Sequence, residues 1–152
     1  MINGVNTKEA TVEAEAMTYE QIRNSISHCG LICCFCKVKE NCDCRTSNHC
    51  CIRDLPEGCY QYDCTIRKGL DGCWECSDAP CDNGVFNKDN LWLRTFIKCI
   101  KEDGIEHFSQ YILRNYKNGI VYTTSAHGGD YGLDNEDDIF KLLRSGVSPH
   151  TK

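Results

Sequence analysis

The chain has 152 residues, 14 of them cysteine, and a formal charge of −5. This length suits one domain, or one domain with a small appendage, and the acidic balance excludes the concentrated basic face that would make nucleic acid a main partner. The longest apolar run, Leu31 to Cys36, is far too short to cross a membrane, and residues 1–18 lack the basic start and apolar centre of a secretion signal.

Residues 1–17 are polar and read as a flexible leader. Thr18-Tyr19-Glu20-Gln21 fits a capping box. It opens a short helix with Ile22 and Ile26 on one face, running toward His28 and Cys29. Residues 18–86 form a cysteine-rich module: 13 of the 14 cysteines fall within the 53 residues from Cys29 to Cys81. Gly30, Pro56, Gly58, Gly69, Gly72 and Pro80 break up this zone, and its helix and strand periodicity is weak. It is expected to consist of loops, knuckle turns and one-turn helices.

Residues 87–148 change character. Asp89 or Asn90 can cap a helix carrying Leu93, Phe96, Ile97 and Ile100, with Gly104 as its stop. Ile105, Phe108, Ile112 and Tyr116 predict a second amphipathic helix ending near Gly119. Ile120-Val121-Tyr122-Thr123 is β-prone, and "SAHGGDYG" reads as a loop. A last helix has Asp134 and Glu136 to Asp138 at its start and Ile139, Leu142 and Leu143 as its stripe. Lys141 and Arg144 lie in its last turn, with Gly146 and Pro149 after it. The expected fold is small α+β: an irregular, metal-stapled cysteine-rich module packed on C-terminal helices in one compact unit.

The cysteine spacings point to metal. Cys29, Cys33 and Cys36 form C-x3-C-x2-C; Cys42 and Cys44 form C-x-C; Cys59 and Cys64 form C-x4-C; Cys73, Cys76 and Cys81 form C-x2-C-x4-C. A C-x2-C turn lets two thiolates reach one tetrahedral ion, each sulfur about 2.3 Å from it. The chain is expected to be cytoplasmic, and in a reducing compartment disulfides are a poor account of so many thiols. Ten ligand thiols exceed one four-coordinate site, so two sites are expected, with the sharing of thiols between ions left open. Cys99 lies among apolar helix residues and reads as a buried small hydrophobe. Cys34, Cys50 and Cys51 stand outside the regular spacings as spare thiols or replacement ligands.

The stretches "CGLICCFC", "CDCR", "CYQYDC" and "RKGLDGCWECSDAPCD" resemble the domain of unknown function 3795 family across residues 28–86. The resemblance implies a small bacterial or archaeal protein that binds metal through these cysteines. One departure is Cys42-Asp43-Cys44-Arg45, a residue shorter than the family's C-x-G-C-R. Cys42 and Cys44 then serve different ions, or one of them is replaced by Cys50 or Cys51.

Zinc is the expected metal, two ions in all, with an iron–sulfur cluster as the alternative. Cys29, Cys33 and Cys36, with Phe35 before the last, also match the three-cysteine motif of radical S-adenosylmethionine enzymes. The chain has no room for the barrel those enzymes need. His28 and His49 adjoin cysteines and read as hydrogen-bonded histidines before ligands. His107 and His127 have no recognisable acid–base partner, and no hydrolase or protease motif is present, so an enzyme is the lesser expectation. Trp74 reads as a packed aromatic shielding the metal, and Arg45 and Lys68 as cations offsetting thiolate charge. The expected function is a metal-binding protein whose zinc–thiolate sites stabilise a module for a protein partner. The alternatives are an iron–sulfur electron carrier or enzyme, and a labile-zinc storage or sensing protein.

Overall fold

The computed structural model describes residues 17–35, 58–86, 90–123 and 128–147. Among them run five α-helices: α1 (Tyr19–Ser25), α2 (Tyr60–Lys68), α3 (Leu91–Asp103), α4 (Ile105–Lys117) and α5 (Glu136–Ser145). Single 3-10 turns stand at Cys33–Phe35, Cys73–Glu75 and Gly129–Tyr131. The leader 1–16, Asp89 and Pro149 lie outside the described residues.

The helix ends follow their local chemistry. At α1 the Thr18 hydroxyl accepts from the Gln21 amide at 3.1 Å, and the Gln21 side chain accepts from the Thr18 amide at 2.8 Å. This is the reciprocal box the sequence predicts. Gly104, at φ +92, closes α3 and donates its amide to Ile100. Asn135 caps α5 by accepting from the Asp138 amide at 2.8 Å, and Gly146 ends it in the left-handed conformation. Asn90 stands at the start of α3, but its side chain makes no cap there. It donates to the Val85 carbonyl at 2.7 Å instead, tying α3 to the preceding loop.

The α+β expectation is overturned. The described residues contain no strand and no sheet; extended pairing is limited to the isolated antiparallel bridge between Ile26 and Ile32. The β-prone residues 120–123 form no strand with another described segment. Val121 instead exchanges hydrogen bonds with one residue: its carbonyl accepts from the Asp130 amide at 2.8 Å, and its amide donates to the Asp130 carboxylate at 2.7 Å. β propensity alone did not make a strand here: without a ladder partner among the described residues, the segment is pinned by Asp130 instead. A second correction concerns α2. The sequence offers only turns and one-turn helices in the cysteine zone, yet residues 60–68 make a nine-residue helix.

The core is an aromatic and aliphatic cluster centred on α3. Phe96 is fully buried, and its ring centroid lies 5.2 Å from those of Phe108 and Tyr131 and 5.4 Å from that of Trp92. All three contacts are edge-to-face, the arrangement ring quadrupoles favour. Ile112 of α4 and Ile139, Leu142 and Leu143 of α5 complete the cluster, and Ile22, Ile26, Leu31 and Ile32 join it from the N-terminal side. Cys29 and Cys73 are buried at its edge, so the thiol-bearing turns share the core of the helices. No helix among the described residues is long and apolar enough to cross a membrane.

Candidate metal centre

α2 is an unusual helix. Its buried residues are Gln61 and Thr65, while Ile66 is 53% exposed and Tyr60 42% exposed. A helix normally docks through an apolar stripe; α2 turns polar groups and a thiol inward. Tyr60, Gln61, Cys64, Thr65 and Lys68 stand at i, i+1, i+4, i+5 and i+8, one helical face. That face lines a cavity of about 80 Å³ whose other walls include Cys73, Cys76 and Cys81. The cavity thus gathers four thiols from the C-x4-C and C-x2-C-x4-C motifs.

Polar contacts fix these walls. The Gln61 amide donates to the Asn83 carbonyl at 2.7 Å and accepts from the Val85 amide at 3.3 Å. Gly84 turns between them at φ +59, and a Cβ there would run into the Gln61 side chain. The Thr65 hydroxyl donates to the helix carbonyls of Gln61 and Tyr62, at 2.9 and 3.0 Å, and lies 2.7 Å from His28 Nδ1. The His28 carbonyl in turn accepts from the Cys73 amide at 2.8 Å. His28 therefore links the first cysteine turn to α2 and to the second turn. From α3, Arg94 donates to the carbonyls of Cys81 and Phe86, at 2.7 and 2.6 Å, and Lys101 donates to that of Cys76.

The electrostatics separate the thiols. Cys76 is partly exposed. Burial pushes its thiol up, but hydrogen bonds from the Asp78 backbone and from Lys68 Nζ, the latter at 3.3 Å, outweigh burial and hold it below the ordinary value. Burial drives Cys73 up to about 12, with the adjacent thiols Cys81, Cys64, Cys76 and Cys59 adding to the rise. Cys29 is raised too, first by burial and then by Cys59, while Ser27 and the Leu31 backbone oppose the rise. Cys29 and Cys76 each take a backbone hydrogen bond from the residue two positions on. Such donors stabilise sulfur charge at metal centres. A thiolate at Cys73 is costly among these neighbours, and a divalent cation reverses that balance.

Of the ten predicted ligands, Cys29, Cys33, Cys59, Cys64, Cys73, Cys76 and Cys81 are described; Cys36, Cys42 and Cys44 lie outside the described residues, as do Arg45, His49, Cys50, Cys51 and His127. No disulfide joins the described cysteines. Cys64, Cys73, Cys76 and Cys81 share the cavity; Cys29 and Cys59 lie beside Cys73 rather than among its lining. The sulfurs surround the cavity without closing on a point: among the described residues, no three His, Cys, Asp or Glu side chains stand as a group that could hold an ion as placed. Cys99 is fully buried on α3, its thiol raised to about 12 chiefly by burial and then by Asp103. Trp74 packs partly buried against the core, and its ring covers Gly72, where a Cβ would collide with it. Arg94, Lys101, Gln61 and Thr65 were not singled out in the sequence. The one signal for the two cations is their i, i+7 spacing, which puts both on one face of α3.

A larger cavity of about 240 Å³ is lined by Phe35, Ile112, Tyr116, Val121, Tyr122 and Tyr131 among others. Its aromatic walls carry no thiol. Comparison of the chain with protein-family models found no match. Nor did curated proteins or solved structures yield one.

Proposed function

We propose that the protein is a metal-binding protein of a reducing compartment, with zinc held in two thiolate sites that staple its cysteine-rich module. The observation that carries this reading is α2. The helix turns Cys64, Gln61 and Thr65 inward and leaves Ile66 outside. No apolar stripe anchors it, whereas an ion shared between its thiol and those of the following turns would. The resemblance of the cysteine motifs to a family taken to bind metal supports the same reading. The module so held serves recognition of a protein partner, to which α2 offers the exposed Tyr60 and Ile66.

The test is elemental analysis of the full chain purified without oxygen. The expected result is a colourless protein carrying about two zinc ions per chain. Iron with inorganic sulfide and visible charge-transfer absorption overturns zinc in favour of a cluster. Rapid loss of zinc to a weak chelator, with α2 amides still protected from exchange, overturns the staple in favour of storage or sensing. Absence of any bound metal ends the reading.

A further inference from the structure

The two ions of the proposed function leave open which thiols share one. We propose that Cys64, Cys73, Cys76 and Cys81 are the four ligands of a single tetrahedral zinc ion, with Lys68 as its outer-shell hydrogen-bond donor. This rests on the metal-binding reading above.

The four thiols line one cavity. They come from three backbone pieces whose positions are fixed separately. Cys64 rides on α2, whose C-terminal end is closed by Gly69 in the left-handed conformation. Cys73 and Cys76 flank a 3-10 turn, in which the Cys76 amide donates to the Cys73 carbonyl at 3.0 Å. That turn is held from outside by His28 on the Cys73 amide and Lys101 on the Cys76 carbonyl. Cys81 is placed by Arg94 on its carbonyl. The second cysteine turn and Cys81 are thus tied to neighbouring elements; as placed, no three of the described ligand side chains stand as a group that could hold an ion, so coordination by the four requires their side chains to change rotamer and converge. A tetrahedral ion with four sulfurs is the closed form of a structural zinc site.

The surroundings match a net-negative centre. Lys68 is one turn beyond Cys64 on the same face and reaches the Cys76 sulfur at 3.3 Å. The Asp78 backbone supplies a second donor to the same sulfur. Cys29 and Cys59 are set apart from this ion: neither lines the cavity, and Cys29 is engaged by the Ser27 hydroxyl at 3.2 Å.

The experiment uses the full chain loaded with zinc alone, without oxygen. A limiting thiol alkylator is applied during stepwise chelation, and each cysteine is read by mass spectrometry. Cys64, Cys73, Cys76 and Cys81 are expected to be protected together and to become reactive together as one zinc ion leaves. Cys64→Ser should lower the zinc content by one ion per chain, whereas Cys34→Ser should leave it unchanged. Lys68→Gln should keep the stoichiometry but weaken the affinity of that ion by about 10- to 100-fold, the usual cost of losing an outer-shell partner. Lys68→Arg should restore much of the loss, which a merely structural role would not require. Zinc bound while any of the four thiols is alkylated independently overturns the ligand assignment alone. A chain that takes up no zinc overturns the metal-binding reading with it. If the serine variant does not fold, the alkylation pattern of the wild-type chain decides.

Discussion

At the scale of single residues, the best-defined polar site apart from the thiols is Asp103, at the end of α3. Its carboxylate accepts from Arg144 Nε at 2.8 Å and Nη2 at 3.1 Å, and from the Tyr111 hydroxyl at 3.0 Å. The Arg144 hydrogen bond, opposed by partial burial, holds the Asp103 carboxyl below its ordinary value of 3.8. A carboxyl with a lower pKa folded than unfolded contributes stability above the unfolded value and loses it as pH falls through the folded one. Arg144 is 41% exposed, so solvent screening limits the contribution to about 1 kcal/mol. Loss of any bound metal in acid would affect wild type and variant alike. The expected outcome is therefore that Asp103→Asn lowers the urea midpoint at neutral pH, and that its difference from wild type shrinks below about pH 4. A constant difference across that range would remove the ion pair from the stability of the fold. None of this was legible in the sequence, where Arg144 read only as a last-turn cation and Asp103 was not singled out. Asn115 was equally silent: fully buried, it donates to Tyr131 and to the Leu142 carbonyl, at 3.1 and 3.0 Å. Period and propensity report burial of apolar groups; a buried amide inside an amphipathic helix breaks the pattern instead of announcing itself.

Elements were legible in proportion to their apolar period. α3, α4 and α5 each carry a full stripe with glycine just past the last turn, and all three form where the pattern places them. α2 has no such stripe, which is why its nine residues read as turns: its inward face is thiol, amide and hydroxyl. α2 meets the loop of residues 80–86 through Gln61, and that loop is tied to α3 by a cation. Arg94 spans the carbonyls of Cys81 and Phe86 with one nitrogen, reaches toward Pro80 at 3.4 Å with another, and is 22% exposed. Hydrogen bonds from a charged donor contribute about 1.5–3 kcal/mol each when sheltered. Arg94→Ala should therefore lower the stability of the zinc-loaded chain by about 2 kcal/mol in urea denaturation. Arg94→Lys should recover only part of it, because an ammonium cannot span several carbonyls as a planar fork does. Full recovery with lysine would mean that charge alone, and not the fork, holds the loop.

For the whole molecule the question is whether the two halves stand by different forces. The helical half is a conventional core built around Phe96 and its aromatic neighbours. The described cysteine turns contribute Cys29 and Cys73 to that core but few other fully buried apolar groups beyond Leu31, Ile32, Val85 and Phe86. A region so supplied needs a cross-link, and among the described residues it has no disulfide. The molecule carries a reporter in each half, since its two tryptophans are Trp74, between Cys73 and Cys76, and Trp92, on α3. Trp74→Phe and Trp92→Phe leave one tryptophan each. In the zinc-loaded chain both emissions should change in a single urea transition, because α3 contacts both halves, Tyr122 through Trp92 and the Cys81 carbonyl through Arg94. With chelator present, the Trp74 emission should already be that of exposed indole at zero urea, while Trp92 still unfolds cooperatively with a smaller m-value, less surface being left to expose. If chelation shifts both tryptophans together, the helical core itself depends on metal. If it shifts neither, the thiols do not staple the fold, and the amide and hydroxyl contacts of Gln61 and Thr65 hold α2 without them.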